Sequence, residues 1–190
     1  MAQERHMVVK GTGPLALSAF VKTKFPDRFD EWLKILPTNS RNIHAGTILA
    51  FEDYLLYDSL VRPIEKVCEL FYEGKERGAF ETGKHSASFA LKGFYKIFFK
   101  FGSPQYIIDR ASRVFSNYYP EGALKVSESS PNRCILQITK FPEPYRMIEL
   151  NIAGWVEGVL ELLGKKKRKV EITKWMSKKH PVTEYVITWK

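Results

Sequence analysis

The stretch Arg146–Gly164, RMIELNIAGWVEGVLELLG, decides how this chain is read. Ile148, Ile152, Trp155, Val159 and Leu162 recur at threes and fours, the spacing of one helix face. Gly164 suits the end of that helix, because a residue without Cβ takes the left-handed conformation of many C-terminal caps. The flanks have the other period. Upstream, Gly122–Ser129 (GALKVSES) and Asn132–Phe141 (NRCILQITKF) alternate, with Cys134, Leu136 and Ile138 on one side and Ser129–Asn132 (SSPN) as the turn. Downstream, Lys169–Trp175 (KVEITKW) and Thr183–Trp189 (TEYVITW) make a second hairpin across Met176–Pro181 (MSKKHP), with Tyr185, Ile187 and Trp189 sharing a face. The pattern predicts two β-hairpins bracketing a helix.

The N-terminal half reads as helices. His6–Pro14 (HMVVKGTGP) is a short strand ending in a glycine turn. A helix follows from Pro14, where a missing N–H is no loss, with Leu17, Phe20 and Val21 inward. Pro26 and Asp27 open a second helix that Pro37 stops, with Phe29, Trp32, Leu33 and Leu36 on one side. Ile48 to Tyr72 reads as a longer helical stretch that Pro63 should kink or divide. After the Gly74–Gly78 break, a helix over Gly83–Phe101 sets Leu91, Phe94, Phe98 and Phe101 on one face and Lys92, Lys96 and Lys100 on another. Ile107, Ile108, Ala111, Val114 and Phe115 mark one more. The chain is expected to be α+β: helices packed on a twisted four-stranded antiparallel sheet. It is expected to be one domain over 1–190, with a helical part at about 14–118 and a β-β-α-β-β part at about 121–189.

The sequence has 190 residues, 44% hydrophobic and 14% aromatic, enough for a packed core. The formal net charge is +9, and the run Lys165–Lys169 carries five of those charges, so the rest of the chain is nearly balanced. That run lies between a helix stop and a strand. It stands roughly 30 Å from Lys178–His180 at the strand's far end, so the two do not form one patch. A solvated connection is expected there. Nucleic acid is not expected, since a strand binder sets stacking rings beside its cations. Cys68 and Cys134 are the two cysteines, and no CxxC or Cys/His cluster exists. Structural zinc is not expected. The N-terminus shows no signal peptide and no segment approaches a membrane span of ~20 apolar residues, so a cytoplasmic protein is expected.

The serial order of phrases carries a resemblance. Val8–Gly13 (VVKGTG), Leu91–Gly122 (LKGFYKIFFKFGSPQYIIDRASRVFSNYYPEG), Phe141–Tyr145 (FPEPY), Gly154–Gly164 (GWVEGVLELLG) and the terminal VITW resemble an uncharacterised bacterial domain family. That family is similar in fold to heme-nitric-oxide-binding (H-NOX) domains, four-vinyl-reductase domains and the small subunits of the TRAPP tethering complex. The resemblance covers about Val8 to Trp189. It implies a cavity between sheet and helices, which relatives use for heme, hydrocarbon-like ligands or an acyl chain.

The residues narrow what such a cavity would do. The H-NOX pattern needs a helical proximal His and a Tyr-x-Ser-x-Arg clamp, and that string is absent. His6 and His180 flank strands, His44 sits in a polar loop, and His85 opens a helix in its least apolar part. Heme is therefore not expected, and no cofactor is assigned. Gly11–Pro14 (GTGP) lacks the Lys-Ser/Thr of a phosphate loop, and neither HExxH nor G-x-S-x-G occurs, so no enzyme is expected. Cys68 has Val67 and Phe71 beside it and Glu65 and Glu69 nearby, which raises a thiol pKa. The remaining signal is aromatic. Phe94, Tyr95, Phe98 and Phe101 crowd one helix and face Trp155. They are the expected pocket lining, together with Cys68 and with Tyr95 or Asn151 as polar handle. The expected function is a non-catalytic small-molecule-binding or sensory module. It would bind a hydrophobic or amphipathic molecule between the sheet and the helix Gly83–Phe101, and a homodimer mate or a signalling protein would read it. The alternative is a TRAPP-like protein-interaction or assembly subunit without ligand.

Overall fold

The computed structural model describes residues 6–92, 104–108 and 110–190. Strands β3 (Ala123–Ser130) and β4 (Arg133–Lys140) form the first hairpin, and β5 (Lys169–Lys174) and β6 (Thr183–Thr188) the second. Helix α8 (Arg146–Leu162) runs between them. The hairpins join edge to edge through β4 and β6, giving the antiparallel order β3-β4-β6-β5. Register is fixed by the alternation, because a one-residue slip would send every apolar side chain to the wrong face. Cys134 faces Ile187, Leu136 faces Tyr185 and Ile138 faces Thr183. All six are buried. The expected α+β architecture with a four-stranded antiparallel sheet is what the chain adopts.

Helix α8 packs into the core through Ile148, Ile152 and Leu160. Its other contact is with α5 (Arg77–Lys92), and there it approaches by backbone rather than by side chain. A Cβ on Gly154 would lie 1.9 Å from Phe80 O, and one on Gly83 would lie 1.8 Å from Asn151 O. Only glycine permits that approach. Four polar pairs fasten α8 to α5 and to Glu76 just before it. Lys84 Nζ reaches Glu157 at 3.3 Å and also Glu161, Asn151 Nδ2 donates to Thr82 Oγ1 at 2.9 Å, and Arg146 Nη2 donates to Glu76 at 2.8 Å.

The N-terminal elements pack on the far side of α5. They are β1 (Val8–Lys10), α1 (Thr12–Lys24), α2 (Phe29–Ile35), α3 (Thr38–Ala45), β2 (Asp53–Leu55) and α4 (Arg62–Phe71), and their core holds Phe20, Trp32, Leu36, Val61 and Ile64. Two readings change here. Ile48–Tyr72 is not one helical stretch. Its start is a loop and the short strand β2, which pairs antiparallel with β1, and a π-type turn over Tyr57–Val61 leads into α4. Pro63 lies in the first turn of α4, where it is tolerated, rather than at a kink. Nor is His44 in a polar loop. It ends α3 and is 4% exposed. Pro63 explains this burial. It has no N–H to give to Ser59 O four residues back, and His44 Nε2–H donates to that carbonyl at 2.9 Å.

Lys165–Lys169 connects α8 to β5. Gly164 takes a left-handed φ of 71°. Lys166 exchanges backbone hydrogen bonds with Lys190, at 2.7 and 2.8 Å. Arg168 reaches Glu161 at 3.0 Å and Lys169 reaches Glu171 at 2.6 Å. The run is a structured joint whose cations are partly paired. Two short helices, α6 (Pro104–Ile108) and α7 (Ala111–Ser116), precede β3.

Candidate functional site

A cavity of about 110 Å³ lies where α5, α6, α7 and α8 meet the inner face of the sheet. A hollow of water size needs only ~10–15 Å³, and an engineered apolar cavity of ~150 Å³ takes up benzene. This one belongs to the second class. Helix α8 contributes Asn151, Ile152, Trp155, Val156 and Val159. Helices α6 and α7 and the segment after them contribute Ile107, Val114, Phe115, Tyr118 and Tyr119. The sheet contributes Cys134, Leu136, Ile187 and, just past β6, Trp189, while α5 contributes Thr82 and Ser86. No charged side chain is among the described lining residues.

The polar groups of the lining are few. Thr82 Oγ1–H donates to Ala79 O at 2.7 Å and accepts from Asn151 Nδ2. Burial pushes the Cys134 thiol up to about 11, so it is a thiol and not a thiolate at neutral pH. Burial likewise raises the Tyr119 phenol above its ordinary range. The Trp155 ring stands edge-on to Tyr118 at 6.2 Å, and its buried indole N–H has no acceptor among the described residues.

Asn151 and Trp155 both line the cavity, four residues apart on one helical face. Cys68 does not line it. That thiol sits 5% exposed between α4 and α5, where a Cβ on Gly78 would meet its sulfur at 2.9 Å. Burial, with Glu76 and Glu65 nearby, holds its pKa above the usual value. Phe94, Tyr95, Phe98 and Phe101 lie outside the described residues. Reasoning from sequence missed the contributions of Tyr118, Tyr119, Cys134 and Trp189. The alternation that put Cys134 and Leu136 on the inner strand face was the available signal.

The histidines occupy settled positions. Ser59 O can only accept, so His44 Nε2 carries the proton and Nδ1 accepts from Ser18 Oγ–H at 2.7 Å. The His180 ring folds onto the Trp175 backbone at 3.0 Å. His85 does not open a helix; it lies in the middle of α5, one residue before Ser86, with its ring edge-on to Phe20 at 5.5 Å. Among the described residues no group of three His, Cys, Asp or Glu could hold a metal ion. No described helix is long and apolar enough to cross a membrane.

No family model matches the chain, and no curated protein matches it. Solved structures do. An H-NOX protein from S. oneidensis in the Fe(II)NO state superposes with a TM-score of 0.74 at 13% identity, covering 95% of this chain and 99% of that one. The unliganded Fe(II) H-NOX protein from K. algicida gives 0.68 at 11% identity, covering 95% and 96%. A structure from a study of heme distortion in the H-NOX family gives 0.66 at 15%, covering 95% of each. The chain thus has the H-NOX fold over nearly its whole length. That corrects one expectation. Heme was set aside on the positions of four histidines and a missing clamp string, yet the fold is one in which those neighbours are described with iron and heme. For this chain the described lining supplies the Cys134 thiol and the Tyr119 phenol, both of which burial keeps protonated, and His85 stands next to lining residue Ser86 on α5.

Proposed function

We propose that this chain is a non-catalytic sensory module, a single domain, that binds a hydrophobic or amphipathic molecule in the cavity between α5, α8 and the sheet. The carrying observation is the cavity itself: about 110 Å³, with no charged residue in its described lining, between the sheet and helices α5 and α8. An apolar guest gains from leaving water by ~25 cal/mol per Å² of surface buried, and no described lining residue would oppose it with an unpaired charge. A non-catalytic role is supported by the Cys134 thiol, which burial holds protonated and which has no carboxylate, histidine or amine beside it among the described lining residues.

The signal would travel by α5. Its Thr82 and Ser86 face the guest, and its backbone touches α8 at Gly83 and Gly154. A guest that favours one spacing of these helices shifts the population toward it. A signalling protein or a second copy of the chain would read the result.

The test is a titration of ¹⁵N-labelled protein with cyclohexanone, methylenecyclohexane and, separately, hemin. The expected result is saturable shifts of amide signals from lining residues such as Cys134, Leu136 and Val159. A Soret shift with hemin would identify the guest as a macrocycle, in the manner of the fold's solved members. No response to any of the three would overturn the reading.

A further inference from the structure

Two lysines stand opposite each other where α8 hands over to β5. Lys166 and Lys190 exchange both backbone hydrogen bonds, at 2.7 and 2.8 Å. In an antiparallel pair of that kind the Cα atoms lie about 5.5 Å apart and the two side chains leave on the same side. Like charges placed so repel. Lys165 and Lys167 lie beside them, Lys167 with a left-handed φ of 46°. Among the described residues no carboxylate pairs with Lys165, Lys166, Lys167 or Lys190, although the cations around them are paired. Lys169 is held by Glu171 at 2.6 Å, Lys174 by Glu184 at 2.9 Å, Lys84 by Glu157 at 3.3 Å and Arg168 by Glu161 at 3.0 Å. Arg168 also donates to Lys165 O and so fixes the turn from within, while Lys166, Lys167 and Lys190 are exposed. The cavity ends at the same place. Leu163, two residues before Lys165, and Trp189, the residue before Lys190, both line it. Both arms of the Lys166–Lys190 pair therefore start in the wall of the hollow.

We infer that Lys165, Lys166, Lys167 and Lys190 form a docking surface for an acidic segment of a signalling protein. Resting on the ligand-binding reading above, a guest tunes that grip through Leu163 and Trp189. A carboxylate-rich segment supplies what the fold withholds here, anions for neighbouring cations. Lysine suits such a grip, because its charge rides on a flexible stem and asks for no fixed partner geometry. The limits of the cationic field favour a short peptide over a larger polyanion. Ion pairs close it toward β5 and toward α5, so it does not broaden into the plane that a lipid surface covers. A nucleic-acid strand wants a stacking ring beside the cations, and Trp189, the ring next to Lys190, is 4% exposed.

The experiment follows the fluorescence anisotropy of a dye-labelled hexaglutamate peptide titrated with the full chain at low ionic strength. The wild type should bind it, should not bind hexaglutamine, and should lose affinity as salt is raised. Lys166→Glu combined with Lys167→Glu should weaken binding about tenfold. Lys178→Glu combined with Lys179→Glu makes the same change in net charge at the far end of β5 and should leave the affinity nearly unchanged. Saturating cyclohexanone should alter the wild-type Kd for the peptide by about twofold or more. No binding by the wild type, or equal weakening by the two double variants, overturns the docking surface. Tighter binding of phosphatidylserine vesicles or of single-stranded DNA, removed by the Lys166/Lys167 variant, overturns the acidic segment as its occupant. An unchanged Kd in protein whose Cys134 and Val159 amides respond to cyclohexanone overturns the coupling. Those amide shifts are read without peptide. If they are absent the ligand-binding reading falls, while the peptide titration still decides the docking surface.

Discussion

Both imidazole nitrogens of His44 are engaged inside the protein, one on a hydroxyl and one on a carbonyl, with the Trp32 ring edge-on at 5.0 Å. Burial lowers its pKa to about 4. In the unfolded chain it titrates near ~6.5. Between these values the unfolded state binds a proton that the native state refuses. The contribution of His44 is therefore full above the unfolded value and lost as pH falls from ~6.5 toward 4. By pH 5 the loss is about 2 kcal/mol. Urea denaturation at pH 7 and pH 5 should show it in the wild type and show less of it in His44→Gln. Equal pH dependence in the two would contradict the assignment. The sequence carried half of this site. Pro63 and Ser59 announce a carbonyl without its helical donor, but no spacing says which distant side chain arrives. Thr38–Ala45 is too polar to signal a helix by period, so His44 reads as a loop residue until tertiary packing places it.

The α5–α8 contact turns on two competing magnitudes. Alanine exceeds glycine in helix propensity by about 1 kcal/mol, so Gly154→Ala would stabilise an isolated helix. In the folded chain the added methyl meets Phe80 O at 1.9 Å, a backbone atom that cannot swing aside. Overpacking of that kind costs ~1–3 kcal/mol or more, and it wins. Gly154→Ala should lower the urea midpoint by the equivalent of at least 2 kcal/mol. A midpoint at or above wild type would show that the helices stand further apart. Legibility divides the same way among elements. The hairpins were readable because eight-residue strands such as β4 give four cycles of alternation, and α8 because its apolar stripe spans 17 residues. Strands β1 and β2 have three residues each, too few for a period, and they form because each supplies the other's partners. Gly154 and Gly158 inside an apolar helix were the unread clue to close approach.

Across the molecule, the five-cation joint and the cavity mark the two ends of what charge and pattern can tell. Lys165–Lys169 stands out in sequence, yet its backbone pairs with the C-terminal Lys190 and its Arg168 with Glu161, as a connection would. The cavity was expected from the resemblance rather than from any pattern of residues, because a hollow is made by residues from five or more separate elements, each of which reads as ordinary core. Its existence makes a thermodynamic claim. A guest at a hundred times its Kd stabilises the native state by ~2.7 kcal/mol, which for a chain of this size is a Tm rise of roughly 5–10 °C. Val114, on α7, lines the hollow and is half-buried, so a larger ring there can enter the space without displacing backbone. Val114→Phe should keep stability within about 1.5 kcal/mol of wild type and abolish the Tm rise produced by cyclohexanone. The two readouts separate the causes. A Tm rise that persists in a folded Val114→Phe places the guest elsewhere on the chain. A rise lost together with several kcal/mol of stability reports a damaged fold, and in that event the smaller Ala111→Val, on the same helix and in the same lining, should reduce the rise in proportion to the volume it fills.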